Sequence, residues 1–164
     1  MAQHANLSSR LEKLIDHTML RANASEEDIR KLCAEAREYK FYSVCVNPRW
    51  IPFCKGELST SDTLPITVVG FPLGANDVLI KQKEATLAIE QGAREIDMVI
   101  DIASALSHEW KKVEDEIKAV SKACDKTPLK VIIETAYLTQ EEIREASKCC
   151  LFGGADFVKT STGF

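Results

Sequence analysis

The sequence predicts an α/β protein and, within that class, a (β/α)8 TIM barrel of which about six βα units are present. Short β-rich runs alternate with helical segments along the whole chain, the pattern of repeated βα units around a parallel sheet. The later runs are polar on one face and apolar on the other, which suits a barrel interior inside a ring of helices. No Gly-x-Gly-x-x-Gly or Walker-type loop follows the first run, so the open nucleotide-binding sheets lack their main signature.

The first half of the chain supplies three predicted strands. An amphipathic helix over residues 8–15 leads into a strand over residues 14–18. Ser25 is a good N-cap for the next helix, whose apolar residues have helical spacing. A β-rich run over residues 43–47 stops at Pro48, and a short helix over residues 49–58 precedes the third strand. That strand lies within residues 65–72.

The second half repeats the alternation. A helix over about residues 78–90 should end at Gly92 in a C′ position. A strand over residues 95–100 follows, and then a longer helix whose apolar stripe is Trp110, Val113, Ile117 and Val120. The next strand covers residues 129–134, and Thr139 begins a capped helix that ends near residues 153–154. The last strand runs through residues 155–159 into a turn rich in hydroxyl groups and glycine.

Composition limits the possible classes of protein. The chain has 164 residues, is 45% hydrophobic and carries a net charge of −4, so we expect one domain over residues 1–164 and no nucleic-acid or membrane partner. No apolar run is long enough to span a bilayer, and the amino terminus lacks the apolar core of a secretion signal. The six cysteines form no Cys-x-x-Cys pair, which predicts reduced thiols in a cytosolic protein and no zinc site.

Three of the later strands direct ionisable side chains toward the same interior: Asp97, Lys130 and Lys159. A lysine in a buried strand is costly, but the cost is tolerated where the neutral amine is a nucleophile. Lys130 could be the neighbouring cation that helps to keep Lys159 deprotonated, and Asp97 could move protons. The alternative is a buried charge network that only fixes the packing, and spacing alone leaves both interpretations open.

Other candidate residues carry weaker signals. Asp16 is a better inward-facing residue than His17, because adjacent strand residues point to opposite faces. Cys45 shares a face with Asn47 and is more typical of core packing than of a nucleophile. The loop over residues 71–74 follows a strand at the end where barrel sites lie, although its glycine and proline are sufficiently explained by a turn.

Several blocks, in order over nearly the whole chain, resemble the 2-deoxyribose-5-phosphate aldolase family. The segment Phe157–Phe164, Phe-Val-Lys-Thr-Ser-Thr-Gly-Phe, carries the main likeness. The others are Ile15–Thr18 with Leu20, Val44–Pro48, Val69–Gly74, Glu95–Val99 and Leu129–Thr135. The resemblance implies that Lys159 forms a Schiff base, that Asp97 donates and accepts protons, and that Lys130 lies beside them and tunes the site.

The resemblance further implies a class I aldolase that cleaves 2-deoxy-D-ribose 5-phosphate to glyceraldehyde 3-phosphate and acetaldehyde. We expect Asp16, Thr18, Cys45 and Thr160 to bind the substrate, with neither metal nor cofactor. The expected partners are the phosphorylated sugar and acetaldehyde, and not nucleic acid or a membrane. We also expect a homo-oligomer, either a dimer or a tetramer, that is located in the cytoplasm and acts in deoxyribose phosphate catabolism.

The end of the chain departs from the family pattern. Eight βα units normally need about 200 residues or more, so the last two units are expected to be absent. The family's second proton-relay lysine and its phosphate site, which follow the last strands, are not found in this sequence. Two other readings therefore stay open, namely another Schiff-base barrel aldolase and a non-catalytic partial-barrel fragment.

Overall fold

The computed structural model describes residues 11–164 and contains one sheet of six parallel strands, ordered as they occur in the sequence. The strands are β1 (Asp16–Met19), β2 (Ser43–Val46), β3 (Leu64–Val69), β4 (Ile96–Val99), β5 (Leu129–Ile132) and β6 (Phe157–Lys159). The helices are α1 (Glu26–Glu38), α2 (Ile51–Glu57), α3 (Val78–Gln91), α4 (Ile102–Leu106), α5 (Trp110–Cys124) and α6 (Gln140–Gly153). Short 3-10 helices cover Leu11–Leu14, Pro48–Trp50 and Thr135–Tyr137.

The sheet curls as a barrel does. In a flat sheet β1 and β5 would lie roughly 19 Å apart, because neighbouring strands are about 4.8 Å apart. Instead, the Lys130 Nζ atom on β5 lies 2.9 Å from the Asp16 Oδ2 atom on β1. Only strong curvature brings these two side chains together. The six units thus form a partial (β/α)8 barrel, which confirms the predicted fold class.

Apolar side chains form two separate layers. The larger layer lies between the sheet and the helices and includes Ile96, Met98, Leu129 and Val131. The smaller layer lies inside the curl. It contains Cys45, Ile66 and Val68, with Leu20, Leu64 and Phe71 packed against them. The division follows the alternation of the strands, so the polar face of each later strand points inward.

Several helix ends follow the predicted chemistry. Ser25 and Thr139 each accept a hydrogen bond from the third backbone N–H of the helix that follows. In return, the carboxylates of Asp28 and Glu142 accept the backbone N–H of Ser25 and Thr139. Gly92 has φ +118° at the end of α3. Only glycine adopts this left-handed backbone without strain, and the helix therefore ends there.

Other boundaries differ from the prediction. The helix expected after β4 is α5, and a short helix that was not predicted, α4, precedes it. His108 lies between the two helices with φ +57°, a backbone conformation that does not continue a helix. The strand expected over residues 129–134 ends at Ile132, and Glu134 turns the chain with φ +52°. The first strand begins at Asp16, after a 3-10 turn. Residues 8–10 of the predicted first helix lie outside the described part.

No helix between residues 11 and 164 has the length and apolar character needed to cross a membrane.

Candidate active site

Three inward side chains meet on neighbouring strands. Asp97 on β4 is paired in register with Lys130 on β5, and Lys130 is paired with Phe157 on β6. Lys159 therefore lies one inward position closer to the carboxyl-terminal edge of the sheet than Lys130 does. That edge is where (β/α)8 barrels carry their active sites. The structure thus brings together the three residues singled out by their strand positions.

Asp97 joins the two lysines. Its Oδ2 atom accepts a hydrogen bond from the Lys159 Nζ atom at 2.7 Å, and its Oδ1 atom lies 3.4 Å from the Lys130 Nζ atom. The Asp97 side chain is fully buried, whereas 30% of the Lys159 side chain is exposed. Within residues 11–164, the Oδ1 atom accepts no hydrogen bond. The site thus pairs an accessible amine with a buried carboxylate that keeps spare acceptor capacity.

Lys130 is surrounded by carboxylates. Its ammonium donates hydrogen bonds to Asp16 at 2.9 Å and to Glu95, in addition to its contact with Asp97. Burial alone would lower the pKa of Lys130, but the charges of Asp97, Glu95 and Asp16 outweigh it and raise that pKa well above its usual range. Lys130 is therefore a permanent cation at neutral pH.

Glu95 belongs to the same cluster, although sequence reasoning did not select it. It directly precedes β4, lies on the inward side two residues before Asp97, and is almost completely buried. Burial raises the pKa of Glu95, and its contact with Lys130 partly offsets this effect. The Tyr42 hydroxyl donates a hydrogen bond to it at 3.3 Å. The period-2 spacing from Asp97 was the signal that could have found it.

One oxygen atom each from Asp16, Glu95 and Asp97 lies within 4.8 Å of the others. Such a group of carboxylates could hold a metal ion, since hard cations prefer oxygen ligands. Here the Lys130 ammonium lies among the three carboxylates and contacts each of them. The side chain of Lys130 therefore supplies the positive charge that these acids need.

The four expected substrate-binding residues occupy different environments. Asp16 faces inward, where it accepts a hydrogen bond from Ser43 at 2.6 Å, whereas His17 faces the helices and contacts Glu35. Cys45 is fully buried inside the curl, and burial raises the pKa of its thiol to about 12, so the thiol is neutral.

The two threonines are exposed near the ends of strands. The Thr18 hydroxyl donates to the backbone carbonyl of Asp16 at 2.8 Å and not to the charged cluster. Thr160 follows Lys159 directly, and its backbone carbonyl accepts the Thr135 N–H at 2.8 Å. Neither hydroxyl forms a hydrogen bond with Asp97, Lys130 or Lys159, so a substrate role for them would require a ligand that bridges the distance.

Replacement of Lys130 tests the electrostatic balance of the cluster. Lys130→Met should lower the free energy of unfolding by about 3–5 kcal/mol at pH 7, because it leaves buried carboxylates without their cation. Lys122→Met on the exposed surface of α5 is the control and should change it by less than about 0.5 kcal/mol. Urea denaturation of the full-length native polypeptide measures both.

The same replacement predicts a pH dependence. The folded-state pKa of Lys130 is raised, so its contribution to stability is fully present below the unfolded value of 10.5 and is lost as the pH rises through the folded value. The stability difference between wild type and Lys130→Met should therefore persist to about pH 10 and narrow at higher pH. A difference that is constant into strong alkali would contradict the assigned role of the ammonium.

Comparison with known proteins agrees with this geometry. The model of the DeoC/LacD family aldolases matches residues 11–164. A deoxyribose-phosphate aldolase from Deinococcus radiodurans is 54% identical over 154 residues, which cover 94% of this chain and 70% of the relative. The corresponding protein from an Exiguobacterium species is 50% identical over 155 residues, with 94% and 70% coverage.

Solved structures are similar as well. A putative deoxyribose-phosphate aldolase from Coccidioides immitis superposes with a TM-score of 0.92 at 38% identity, over 94% of this chain and 61% of that one. The deoxyribose phosphate aldolase from Aeropyrum pernix, described as a unique tetrameric structure, gives a TM-score of 0.86 at 32% identity, over 93% and 64%. The present chain thus spans about 70% of the curated relatives and somewhat less than two thirds of these two solved chains.

A partial parallel barrel with a lysine–carboxylate cluster at its inner face, together with these matches, defines an enzyme of the aldolase class. The chain belongs to the DeoC/LacD family of aldolases. The family resemblance predicted from the sequence motifs is confirmed.

Proposed function

We propose that this chain carries the reacting lysine of a class I aldolase that reversibly cleaves 2-deoxy-D-ribose 5-phosphate to D-glyceraldehyde 3-phosphate and acetaldehyde. The observation that carries the proposal is the 2.7 Å contact between the Lys159 amine and the buried Asp97 carboxylate. Imine formation requires a nucleophilic amine and a nearby group that transfers protons. This pair lies at the carboxyl-terminal edge, where barrels carry their active sites. The names of the relatives support the choice of substrate.

Lys159 is the nucleophile in this proposal. Its neutral amine attacks the aldehyde carbon C1 of the open-chain sugar, and loss of water from the carbinolamine gives a protonated imine. The C3 hydroxyl then loses its proton, the C2–C3 bond breaks, and its electron pair moves toward the imine nitrogen to form an enamine. Glyceraldehyde 3-phosphate leaves, C2 takes up a proton, and water releases acetaldehyde and the free amine.

Asp97 is the proton donor and acceptor of these steps. Its Oδ2 atom already contacts the reacting nitrogen, while its Oδ1 atom accepts no hydrogen bond within the described residues. It can therefore exchange protons with the substrate hydroxyls or with a water molecule. Lys130 holds Asp97 from the other side and places a fixed positive charge near the reacting nitrogen.

Substrate contacts follow from the positions of the remaining residues. Asp16 and Cys45 form part of the wall inside the curl, and Thr18 and Thr160 offer hydroxyl groups near the exposed strand ends. The product aldehydes and the sugar phosphate are the proposed small-molecule partners. In this assignment the substrate bridges from the amine to the two hydroxyl groups, and its phosphate stays outside the cluster of acids.

The biological setting is proposed from the same chemistry. All six cysteines are free thiols, which is typical of a reducing compartment such as the cytoplasm, where deoxyribose phosphate catabolism would proceed. A homo-oligomer, a dimer or a tetramer, is supported by the tetramer described for the relative from Aeropyrum pernix. Light scattering of the purified protein measures the assembly directly.

Reductive trapping tests the function. Borohydride added with acetaldehyde to the full-length native polypeptide should leave one ethyl group on Lys159, identified by peptide mass mapping. Lys159→Met should abolish this adduct, whereas Lys111→Met, at an exposed position of α5, should leave it unchanged. An adduct on Lys130, or none on any lysine, would contradict the proposal.

Substrate choice separates this function from that of another Schiff-base aldolase. The enzyme should cleave deoxyribose 5-phosphate, and borohydride should trap acetaldehyde on Lys159. Trapping of a keto acid such as pyruvate on Lys159, with no cleavage of deoxyribose 5-phosphate, would indicate a different donor. The lysine assignment would then stand while the substrate assignment failed.

A further inference from the structure

A second buried ion pair lies outside the barrel interior, between the sheet and the helices. It joins Lys81 on α3 to Glu116 on α5 at 2.6 Å, and the Lys81 side chain is completely buried. The Lys81 ammonium also donates hydrogen bonds to the carbonyl oxygens of Gly74 at 2.7 Å and Val99 at 2.9 Å. All three of its donors are thereby used. The second oxygen of Glu116 accepts the backbone N–H of Asp101 at 2.8 Å.

The backbone groups that this pair holds lie in the loop after β3, at the last residue of β4 and just after it, at the functional end of the sheet. Gly74 lies in the loop that joins β3 to α3. Val99 is the last residue of β4, the strand that carries Asp97, and Asp101 starts the next helix. Since barrel active sites are built from the loops after the strands, the pair connects two walls of the site.

Close packing shows how tightly the first loop is held. Gly70 has φ +62°, and a Cβ atom there would lie 2.7 Å from the Cε atom of Lys81. Gly74 has φ +67°, and a Cβ atom there would lie 1.9 Å from the carbonyl oxygen of Ile100. The Glu84 carboxylate accepts the Gly70 N–H at 2.8 Å. The loop backbone therefore rests directly on the Lys81 side chain and on the end of β4.

The same loop directs Phe71 toward the site. The Phe71 side chain packs against the apolar layer inside the curl, which includes Cys45. Its ring also meets the ring of Phe164 edge to face, with 5.3 Å between centroids. Phe164 lies in the segment that follows Lys159. A continuous set of contacts thus leads from Lys81 through the loop to the segment that directly follows the reacting amine.

We propose that Lys81 and Glu116 are a positioning pair for the aldolase reaction, which fixes the β3–α3 loop against the end of β4. Neither residue is catalytic, because both are buried on the helix side of the sheet. Stability alone does not explain the pair, since apolar residues of similar volume often replace a buried ion pair without loss of stability. Apolar residues could not, however, replace the three hydrogen bonds to the backbone of Gly74, Val99 and Asp101. This inference rests on the proposed function for its activity readout.

The test uses the double variant Lys81→Met/Glu116→Leu in the full-length native polypeptide. It removes both charges together, so no unpaired buried charge remains and the fold should persist. We expect kcat/KM for deoxyribose 5-phosphate cleavage to fall about ten- to a hundredfold, because a small misplacement of reacting groups can cost that much. The fall should be mainly in kcat, since the pair does not touch the substrate.

The matched control is Lys111→Met/Asp115→Leu, which removes an exposed ion pair on α5. It should leave kcat, KM and hydrogen exchange of the loop unchanged. In the double variant of the buried pair, the amide of Gly74, which donates to the Gly70 carbonyl at 2.7 Å, should exchange at least about tenfold faster. Exchange in β2, which the pair does not contact, should stay as in the wild type.

A folded double variant with wild-type kcat/KM and wild-type loop exchange would overturn the proposal. If the double variant does not fold, hydrogen exchange of the wild-type protein decides. The Gly74 amide must then exchange as slowly as the β3 amides, and exchange as fast as that of exposed loops would overturn the proposal. Absence of Schiff-base trapping in the wild type would refute the proposed function. It would not refute the positioning role of Lys81 and Glu116, because hydrogen exchange measures that role without any substrate.

Discussion

Asp97→Asn in the full-length native polypeptide should lower the turnover number for deoxyribose 5-phosphate cleavage by about a hundredfold or more, the usual scale for the loss of a positioned general acid or base. An amide neither donates nor accepts a proton in the relevant range. It keeps the shape of the side chain, and its oxygen can still accept the Lys159 hydrogen bond that Asp97 Oδ2 accepts at 2.7 Å. The change therefore removes proton transfer and leaves the geometry nearly intact.

The variant should also stay folded. With all groups ionised, the cluster holds the three carboxylates of Asp16, Glu95 and Asp97 against the two ammonium groups of Lys130 and Lys159. Asp97→Asn leaves two charges of each sign, so no excess buried charge results. Thermal melting followed by circular dichroism measures the stability of the variant.

Asp62→Asn, at an exposed position before β3, is the matched control and should keep wild-type turnover. Near-normal turnover of folded Asp97→Asn would mean that Asp97 only fixes the packing of the two lysines. That outcome would favour the charge-network alternative that strand spacing alone leaves open.

Local patterns predicted most of the fold, because they depend on neighbours in the sequence. The alternation of polar and apolar residues in β4 and β5 put Asp97 and Lys130 on the inner face, and the structure places them there. The caps at Ser25 and Thr139 depend only on the next three residues. The break between α4 and α5 escaped prediction, since it depends on a left-handed backbone at His108, a residue that does not require one.

Contacts between distant segments could not be predicted in the same way. Lys130 and Asp16 meet only because the sheet curls, and the spacing of residues within a strand carries no information about curvature. Lys81 looks like an ordinary surface residue of a helix, and its burial depends on how α3 and α5 pack on the sheet. The contact of Lys81 and Glu116 with the β3–α3 loop therefore depends on tertiary packing, whereas the inward positions of Asp97 and Lys130 could be predicted from strand periodicity.

The second large effect concerns the 164 residues expressed by themselves. In the part of the chain that the structure describes, β1 pairs only with β2, and β6 pairs only with β5. Exposed apolar side chains accompany the β6 edge: Leu151 and Phe152 at the end of α6, and Phe157 and Val158 on the strand. Unpaired strand edges next to apolar surface promote association between chains.

We expect residues 1–164 in isolation to self-associate and to show no measurable cleavage of deoxyribose 5-phosphate. Size-exclusion chromatography with light scattering should give polydisperse material, and heating should show no cooperative transition. The double variant Leu151→Glu/Phe152→Glu should reduce the association, because it places charges beside the open edge. Leu87→Glu, at an exposed apolar position of α3 far in sequence from that edge, should not reduce it. A monodisperse sample of the isolated chain with a cooperative melt and measurable cleavage would show that the six units form a complete catalytic domain, and that the exposed surface along β6 does not need a covering segment.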